Sequence, residues 1–507
     1  MSYSQNNSRK MGIILSYLLI MVQAFVSLIY VPMLLNIIGK NEYGLYQLMG
    51  SLISYFSIMD FGLSGAIIRY YSIYQSNNER EKMENVLGTS KIIYIVLTII
   101  LCILALILYF NLDSIFSQSL SAHELVESKN IFILLIVNIC VTLLTNIHTA
   151  VITSHERFIF LKGISLMQVI LQPIIVYLLI INHPSAFVVA AAQTGLNFIL
   201  AFFKVGYCKF NLKMKSKFLF FDKKLILGMS KLSTSIFIVS IVDQIFWKTN
   251  QFILGIISGT SAVAIYSIAS QIYLNYMPLS GAIQNVFLPY VSKNISTLIK
   301  EENLTSLFIR IGRIQYLILS LVLFGFLTFG KDFIILWAGQ EYVTAYYIAL
   351  VILFPFTIDL IENIGLTVLQ SLNKYNIRAK VYSFTAIVNI LLVLVLGSRY
   401  GAIGCGIGTG ISMFIGNGIL MNIYYYKKLN VNIFLFFKNI ISLSIVPFLL
   451  SIIFLGIKFY FSINNFISLF IYIIFFSILY LFLNFIFFMN VYEREIIHRF
   501  KNRICKN

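Results

Sequence analysis

Long apolar runs recur along the whole chain and exceed the roughly 18 residues that a membrane-spanning helix needs. Backbone polar groups in hydrocarbon must be hydrogen-bonded within the protein, so only helices and closed barrels can span. A barrel would show short alternating segments, whereas these runs are continuously apolar. With 59% hydrophobic and 11% charged residues, the chain also lacks the polar surface of a soluble protein. The sequence therefore predicts an all-α integral membrane protein.

Polar breaks divide the apolar runs into about fourteen predicted transmembrane helices. The break at Asn182-His183-Pro184 separates the fifth span from the sixth, which is the weakest of the set. The predicted spans cover residues 12–38, 45–74, 88–110, 131–153, 162–182, 185–205, 232–257, 262–289, 310–330, 345–369, 376–397, 400–424, 439–461 and 464–490.

The net charge of +18 could indicate a nucleic-acid-binding protein, but the basic residues sort by membrane side instead. One set of alternate loops holds Arg80 to Lys91, Arg157 and Lys162, Lys204 to Lys231, Lys293 to Arg313, Lys374 to Lys380 and Lys427 to Lys438. The opposite side has little more than Lys40, Lys129, Lys331, Arg399 and Lys458. Roughly thirty basic residues against about five place the first side, with both termini, in the cytoplasm. No nucleic-acid partner is expected.

A basic cytoplasmic break divides the predicted spans into groups. Its centre, KFNLKMKSKFLFFDKK, is typical of a solvated segment that touches lipid headgroups. We predict an N-terminal lobe of six spans at 1–205, a basic linker at 206–231 and a second six-span lobe at 232–425. Residues 426–507 would supply two further spans and a basic cytoplasmic tail.

Two outer turns in the sequence are similar to each other. IIGKNEYGLY, from Ile37 to Tyr46, aligns with ISGTSAVAIY, from Ile257 to Tyr266, so that Gly39 matches Gly259. Six spans separate the copies, which favours parallel repeats related by an axis along the membrane normal, with a central site between them. Chance agreement of a few small and aromatic residues is the alternative.

Three segments resemble a known family. They are LLNIIGKNEYGLYQLMGSLISYFSIMDFGLSGAIIRYYS, with Asp60-Phe61-Gly62-Leu63 and Arg69-Tyr70; DQIFWKTNQFILGIISGTSAVAIYSIASQ; and the weaker GAIGCGIGTGISMFIGNGI. The chain resembles the polysaccharide (O-antigen type) flippases of the multidrug/oligosaccharidyl-lipid/polysaccharide exporter superfamily. The resemblance implies two pseudo-symmetric six-helix lobes around a central cavity. It also implies transport of an undecaprenyl-diphosphate-linked oligosaccharide, for O-antigen, capsule or another surface polysaccharide, to the outer leaflet of a bacterial cytoplasmic membrane.

Charged and polar side chains within spans are candidates for substrate binding, because they are costly in hydrocarbon. Lys248 lies too deep to reach the headgroups cheaply, and Arg69 lies near the cytoplasmic end of the second span, where it could bind a diphosphate or simply snorkel. Asn250, Gln271 and Asn275 could bind sugar hydroxyls, although hydrogen bonds between helices explain any one of them equally well.

Acidic side chains within spans are candidates for coupling to H⁺ or Na⁺. Asp359 and Glu362 share a face at i, i+3 after Pro355, which we expect to kink the helix, and two close carboxylates do not both ionise easily. Asp60 and Asp243 are the other two candidates, and Asp243 and Asp359 fall in the spans that supply acids in related cation-coupled drug exporters. A packed pair hydrogen-bonded to neighbouring helices is the alternative for Asp359 and Glu362.

Motifs of catalysis and cofactor binding are missing from the sequence: it has no Walker sequence, HExxH or CxxC. The GIGTG run at 406–410 is typical of close helix packing. We therefore expect no cofactor, no metal and no enzymatic activity. A cation-coupled multidrug exporter of the same superfamily is the nearest alternative function, followed by a membrane-embedded polymerase or glycosyltransferase and by a structural scaffold. Expected partners are the lipid-linked oligosaccharide, membrane lipids, and a polysaccharide polymerase with its chain-length regulator.

Overall fold

The computed structural model describes residues 3–300, 304–372, 374 and 376–495, and contains no β-strand among them. The α-helices are α1 (Tyr3–Phe56), α2 (Leu63–Ser76), α3 (Arg80–Phe116), α4 (Ala122–Ser154), α5 (Phe158–Ile180), α6 (Ala186–Phe210), α7 (Lys223–Lys300), α8 (Leu304–Trp337), α9 (Thr344–Ile361), α10 (Asn363–Ser371), α11 (Asn376–Met413), α12 (Asn422–Leu429), α13 (Ile433–Tyr460) and α14 (Phe466–Phe487). Short 3₁₀ helices cover Ser57–Asp60 and Gln340–Tyr342, and a π-helical stretch covers Phe414–Met421. The predicted all-α fold is confirmed.

Three of the long helices are each two helices joined at a glycine. Gly39 in α1 (φ 81°, ψ 175°) and Gly259 in α7 (φ 75°, ψ −175°) adopt nearly the same backbone conformation, and Gly401 breaks α11 with φ 57°. Positive φ of this kind is rare for residues with a Cβ, which is why glycine occupies these positions. The shared geometry of Gly39 and Gly259 supports the alignment of the two sequence repeats.

Eleven helical segments of the described chain are long and apolar enough to cross a membrane. Three of them, Ile14–Ser76, Ser240–Gln284 and Asn376–Leu429, contain the glycine breaks and correspond to pairs of predicted spans. The sixth span, the weakest in the sequence, is helix α6. The protein is thus a multi-pass membrane protein, and the total of fourteen spans stays a prediction.

The described residues pack as two compact units, unit 1 from Met1 to Ala264 and unit 2 from Ile265 to Asn507. The core of unit 1 joins α2, α3 and α4 through buried side chains such as Ile67, Leu87 and Ile147. The units do not coincide with the predicted lobes, because residues 232–264 fall in unit 1. The assignment of the lobes at 1–205 and 232–425 stays a prediction.

Apolar side chains cover the surfaces that would face lipid. On α14, Phe470, Ile474 and Ile478 are exposed on the surface of the protein. Exposure of such side chains to water would be unfavourable. Hydrocarbon solvates such side chains without cost, and helices in a membrane are therefore held together by packing and hydrogen bonds.

A buried ion pair holds the end of the described chain against the core of unit 2. The Arg313 guanidinium, 5% exposed, donates to both carboxylate oxygens of Glu493 at 2.6 and 2.9 Å. It also donates to the carbonyls of Asn439 on α13 and Phe488 after α14. Such pairs are costly to break, because the remaining charge stays buried. Arg313 therefore joins α8, α13 and the segment after α14.

The two similar outer turns contact each other within unit 1. A Cβ added at Gly44 would lie 2.0 Å from the carbonyl oxygen of Thr260, so the backbones touch at this point. The Thr260 hydroxyl in turn donates to Glu124 at the start of α4, at 2.8 Å. Glycine at position 44 is required by this close approach and not by its backbone angles.

We predict that Gly44→Ala destabilises the protein by about 1–3 kcal/mol, the usual cost of overpacking. The matched control is Gly50→Ala on the same helix, where an added Cβ has nothing within 4 Å. That control should be neutral or stabilising by about 0.5–1 kcal/mol, since alanine is the better helix former. Thermal unfolding of both variants in detergent measures the difference, and equal midpoints would contradict the contact.

Candidate functional site

The second predicted span is interrupted at the motif Asp60-Phe61-Gly62-Leu63. Helix α1 ends at Phe56, a 3₁₀ turn covers Ser57–Asp60, and α2 begins at Leu63. Phe61 (φ 50°) and Gly62 (φ 68°) are both left-handed, a conformation that glycine tolerates best. The predicted span at 45–74 is therefore not one continuous helix, because periodicity does not register a short break inside an apolar run. Broken helices of this kind often form binding sites in transporters.

Asp60 lies at this break and is held by three helices. One of its carboxylate oxygens accepts hydrogen bonds from Ser64 on α2 at 3.0 Å, Tyr94 on α3 at 2.8 Å and Asn146 on α4 at 2.9 Å. The donors fix the carboxylate in place and compensate for its removal from water. Asp60 was predicted from the sequence as a site residue, but its partners Tyr94 and Asn146 were not. An asparagine inside an apolar run indicates a hydrogen bond to another helix, so Asn146 could have been found.

Lys248 lies half-buried on the first arm of α7. Among the residues that the structure describes, no side chain forms an ion pair or hydrogen bond with its ammonium group. The adjacent Thr249 hydroxyl lies 2.6 Å from that of Tyr55, which ties the arm to α1. Asn250 is 1% exposed and thus packed inside unit 1.

Arg69 is exposed on α2, and forms no ion pair within the described ranges. Asp60, Arg69, Asp243, Lys248 and Asn250 all belong to unit 1. The remaining predicted site residues, Gln271, Asn275, Asp359 and Glu362, belong to unit 2. There the Asn275 amide is exposed and donates to the backbone carbonyl of Gln271 on its own helix, at 2.8 Å.

Glu362 marks a second interruption, between α9 and α10. Helix α9 contains Pro355 and continues to Ile361, so the interruption lies at Glu362, and the kink expected at the proline stays a prediction. The Glu362 side chain is 3% exposed and accepts a hydrogen bond from Asn422 at 2.7 Å. Asp359 is half-buried one turn earlier and interacts electrostatically with Arg378.

A polar network that the sequence did not single out surrounds this second break. The Ser280 hydroxyl donates to the Leu360 carbonyl at 2.6 Å and accepts from Gln315 at 2.9 Å and from Asn363 at 3.0 Å. These bonds satisfy a backbone carbonyl next to the interruption, as a helix broken in hydrocarbon requires. The network connects α7, α8, α9 and α10.

The two breaks offer carboxylates, a half-buried one at Asp60 and a buried one at Glu362, that could bind a proton or a small cation, whereas Lys248 could bind an anion. Elsewhere in the described residues, Glu42, His123 and Glu127 bring three possible metal-ligand atoms within 4.8 Å of one another. Glu42 accepts a hydrogen bond from the Ala186 backbone amide at 2.8 Å, whereas Oε2 of Glu127 lies 3.8 Å from His123, beyond hydrogen-bond distance, and has no hydrogen-bond partner among the described residues.

We predict that Asp60→Ala lowers the free energy of unfolding by about 1–3 kcal/mol, because the buried Tyr94 and the half-buried Asn146 lose the carboxylate that accepts their hydrogen bonds. Asp60→Asn keeps an acceptor oxygen and should unfold closer to the wild type. Asp113→Ala is the control, since that aspartate pairs with Lys129 at 2.5 Å at an exposed site, where an ion pair contributes little. Thermal unfolding in detergent distinguishes the three, and an Asp60→Ala midpoint equal to that of the control would rule out this role.

Comparison with known proteins shows which fold the chain shares. The chain is 24% identical over 402 residues to a putative O-antigen transporter of Shigella flexneri, a match that covers 76% of this chain and 90% of that protein. The structure resembles the lipid II flippase MurJ in its inward closed conformation, with a TM-score of 0.74 and 15% identity, over 96% of this chain and 99% of that one. It also resembles an inward-facing multidrug resistance transporter of the MATE family within the MOP superfamily, with a TM-score of 0.61 and 12% identity, over 80% of this chain and 96% of that one.

The predicted superfamily fold is thereby confirmed. Residues 10–295, more than half of the chain, match the family described as polysaccharide biosynthesis protein. This stretch includes the broken helix at Asp60, Arg69 and the arm that carries Lys248. The chain belongs to the polysaccharide biosynthesis protein family and has the multi-pass helical fold of the MOP superfamily transporters.

Proposed function

We propose that this protein is a flippase that moves an undecaprenyl-diphosphate-linked oligosaccharide from the cytoplasmic to the outer leaflet of a bacterial inner membrane. The family match of residues 10–295 carries the proposal. The similarity to a putative O-antigen transporter and to a flippase named for lipid II supports a lipid-linked sugar as the cargo. The termini lie in the cytoplasm, as the distribution of basic residues indicates.

The physical task is to carry a charged, hydrated head group past hydrocarbon while the lipid tail stays in the membrane. Lys248 binds the diphosphate of the cargo. No partner among the described residues neutralises its ammonium group, and the negative charge of a diphosphate would do so. Arg69 is exposed on α2 and binds the diphosphate at the cytoplasmic mouth of the path. Gln271 and Asn275 supply hydrogen bonds to sugar hydroxyls, whereas Asn250 is packed inside unit 1 and contacts the cargo only if this packing opens during transport.

Transport proceeds by alternating access, in which the lobe at 1–205 and the lobe at 232–425 rock against each other. Asp60, Asp243, Asp359 and Glu362 are the candidates for binding H⁺ or Na⁺ during this cycle. Glu362, at 3% exposed, is the most buried of these four side chains. A bound proton or cation would neutralise its carboxylate inside the protein. The helix breaks beside Asp60 and Glu362 give the backbone places to bend.

Reconstitution tests the function directly. Liposomes that contain the purified chain should bring fluorescently labelled undecaprenyl-diphosphate oligosaccharide within reach of an impermeant quencher, whereas protein-free liposomes should not. Transport of a cationic dye without movement of the lipid would overturn the proposal in favour of a multidrug exporter. A change in the length of the oligosaccharide would instead identify an enzyme.

We predict that Lys248→Ala reduces the translocation rate by about 10- to 100-fold, the loss expected for one charge-assisted contact of about 1.5–3 kcal/mol. Lys248→Arg should retain most of the rate, and Lys331→Ala, an exposed lysine, should retain all of it. The measurement is the amount of surface polysaccharide made by a strain that depends on this chain, divided by the amount of the variant protein in its membrane. Normal polysaccharide in the Lys248→Ala strain would remove this residue from the mechanism.

A further inference from the structure

A polar pocket of about 420 Å³ opens where the ends of α2, α3 and α4 meet the segment that connects α6 to α7. Arg80, Lys213 and Lys215 line it, together with Glu84, Tyr71 and His155. All of these residues belong to unit 1. The sequence suggested a solvated linker here, whereas the structure folds part of it into the wall of a pocket.

The linker is fixed to α3 by its backbone. The Asn85 side-chain oxygen accepts hydrogen bonds from the backbone amides of Leu219 at 2.9 Å and Phe220 at 3.1 Å. The Lys217 amide donates to the Glu84 carbonyl at 3.2 Å, and a Cβ on Gly88 would lie 2.3 Å from the Lys217 backbone. The wall that bears Lys213 and Lys215 is therefore held in one place before any ligand binds, which lowers the entropy cost of binding.

The cations of this pocket outnumber its anions. Arg80, Lys213 and Lys215 face a single carboxylate, that of Glu84. Within the described residues none of these three cations forms an ion pair. Lys213 also has a left-handed backbone (φ 50°), a strained conformation for a lysine. Strain of this kind persists where the surrounding contacts impose it, and it is frequent at binding sites.

The Tyr71 hydroxyl has a proton to donate into the pocket. The Gln75 side-chain nitrogen lies 3.0 Å from Nδ1 of His155, and because that nitrogen is a donor, Nδ1 accepts. Burial, and then the neighbouring Arg157, lower the pKa of His155, so the neutral ring carries its proton on Nε2. Nε2 lies 3.1 Å from the Tyr71 oxygen and donates to it, which leaves the Tyr71 O–H for an acceptor.

We propose that this pocket binds a phosphate group through Arg80, Lys213, Lys215 and the Tyr71 hydroxyl. The net charge of the lining, three cations against one carboxylate, suits an anionic phosphate, either a diester such as a phospholipid headgroup, which carries one negative charge, or a terminal phosphate, which carries about −1.5 to −2 at pH 7. Arginine and lysine together with a hydroxyl are the usual donors to phosphate oxygens. The bound group, on a soluble molecule or on a phospholipid headgroup, links the linker to α3.

Titration calorimetry of the full chain in an uncharged detergent tests the proposal with pyrophosphate and inorganic phosphate at constant ionic strength. We expect saturable binding that Arg80→Ala and Lys213→Ala each weaken by at least about tenfold, the loss of one charge-assisted hydrogen bond. Tyr71→Phe preserves the packing of α2 and should weaken binding by about fivefold, as expected for a neutral hydrogen bond. Lys82→Ala is the matched control, because Lys82 lies in the first turn of α3, pairs with Glu79 at 2.8 Å and is not part of the pocket lining.

A second arm identifies the source of the phosphate. The chain is placed in nanodiscs of phosphatidylcholine with or without phosphatidylglycerol, and native mass spectrometry counts the lipids retained. Retention of phosphatidylglycerol that is lost in Arg80→Ala but not in Lys82→Ala would support a headgroup ligand, and saturable pyrophosphate binding with the same pattern would support a soluble one. Absence of both, or equal losses in Lys82→Ala and Arg80→Ala, would overturn the proposal, whatever the outcome of the translocation assay.

Discussion

Every backbone polar group in hydrocarbon needs a partner inside the protein, and this requirement governs where the helices of this chain can end or break. At the Asp60 break, two left-handed residues redirect the chain, and the carboxylate is fixed by Ser64, Tyr94 and Asn146. At the Glu362 break, Ser280 satisfies the Leu360 carbonyl. Both interruptions are therefore stabilised by polar side chains, most of which come from neighbouring helices.

Four basic residues of the chain lie in three different environments. Arg313 is buried and fully paired, and its role is to hold the end of the described chain to unit 2. Lys213 and Lys215 lie on a linker whose backbone is fixed to α3 and whose charges are not matched by the pocket around them. Lys248 is half-buried in a membrane arm with no partner in the described residues. A ligand can neutralise charge that the fold leaves unmatched, and the last two environments are therefore the basis of our two proposals of anionic ligands.

Sequence patterns located the helices well and the contacts poorly. Gly39 and Gly259 lie within breaks that the sequence predicted, at 39–44 and 258–261, whereas Gly401 is the second residue of the predicted span 400–424, two residues after the break at 398–399. The interruptions at Asp60 and Glu362 were missed, because a few residues of irregular backbone leave no mark on hydropathy averaged over a span. The partners Tyr94, Asn146 and Asn422 were missed for another reason: they come from distant parts of the chain, and a single sequence carries no information on which helices are neighbours.

The sequence by itself determined that this protein is a helical membrane protein, where most of its helices lie, and which charged residues must be explained. Length and hydropathy suffice for these conclusions, because the bilayer imposes its thickness on every span. The tertiary structure decided which of those charges are satisfied and which are available. Arg313 and Arg80 look alike in the sequence, but one meets Glu493 in the core and the other faces an open pocket. The difference arises because the strength of an electrostatic interaction depends on distance and burial, and both are set by packing between helices that are remote in the chain.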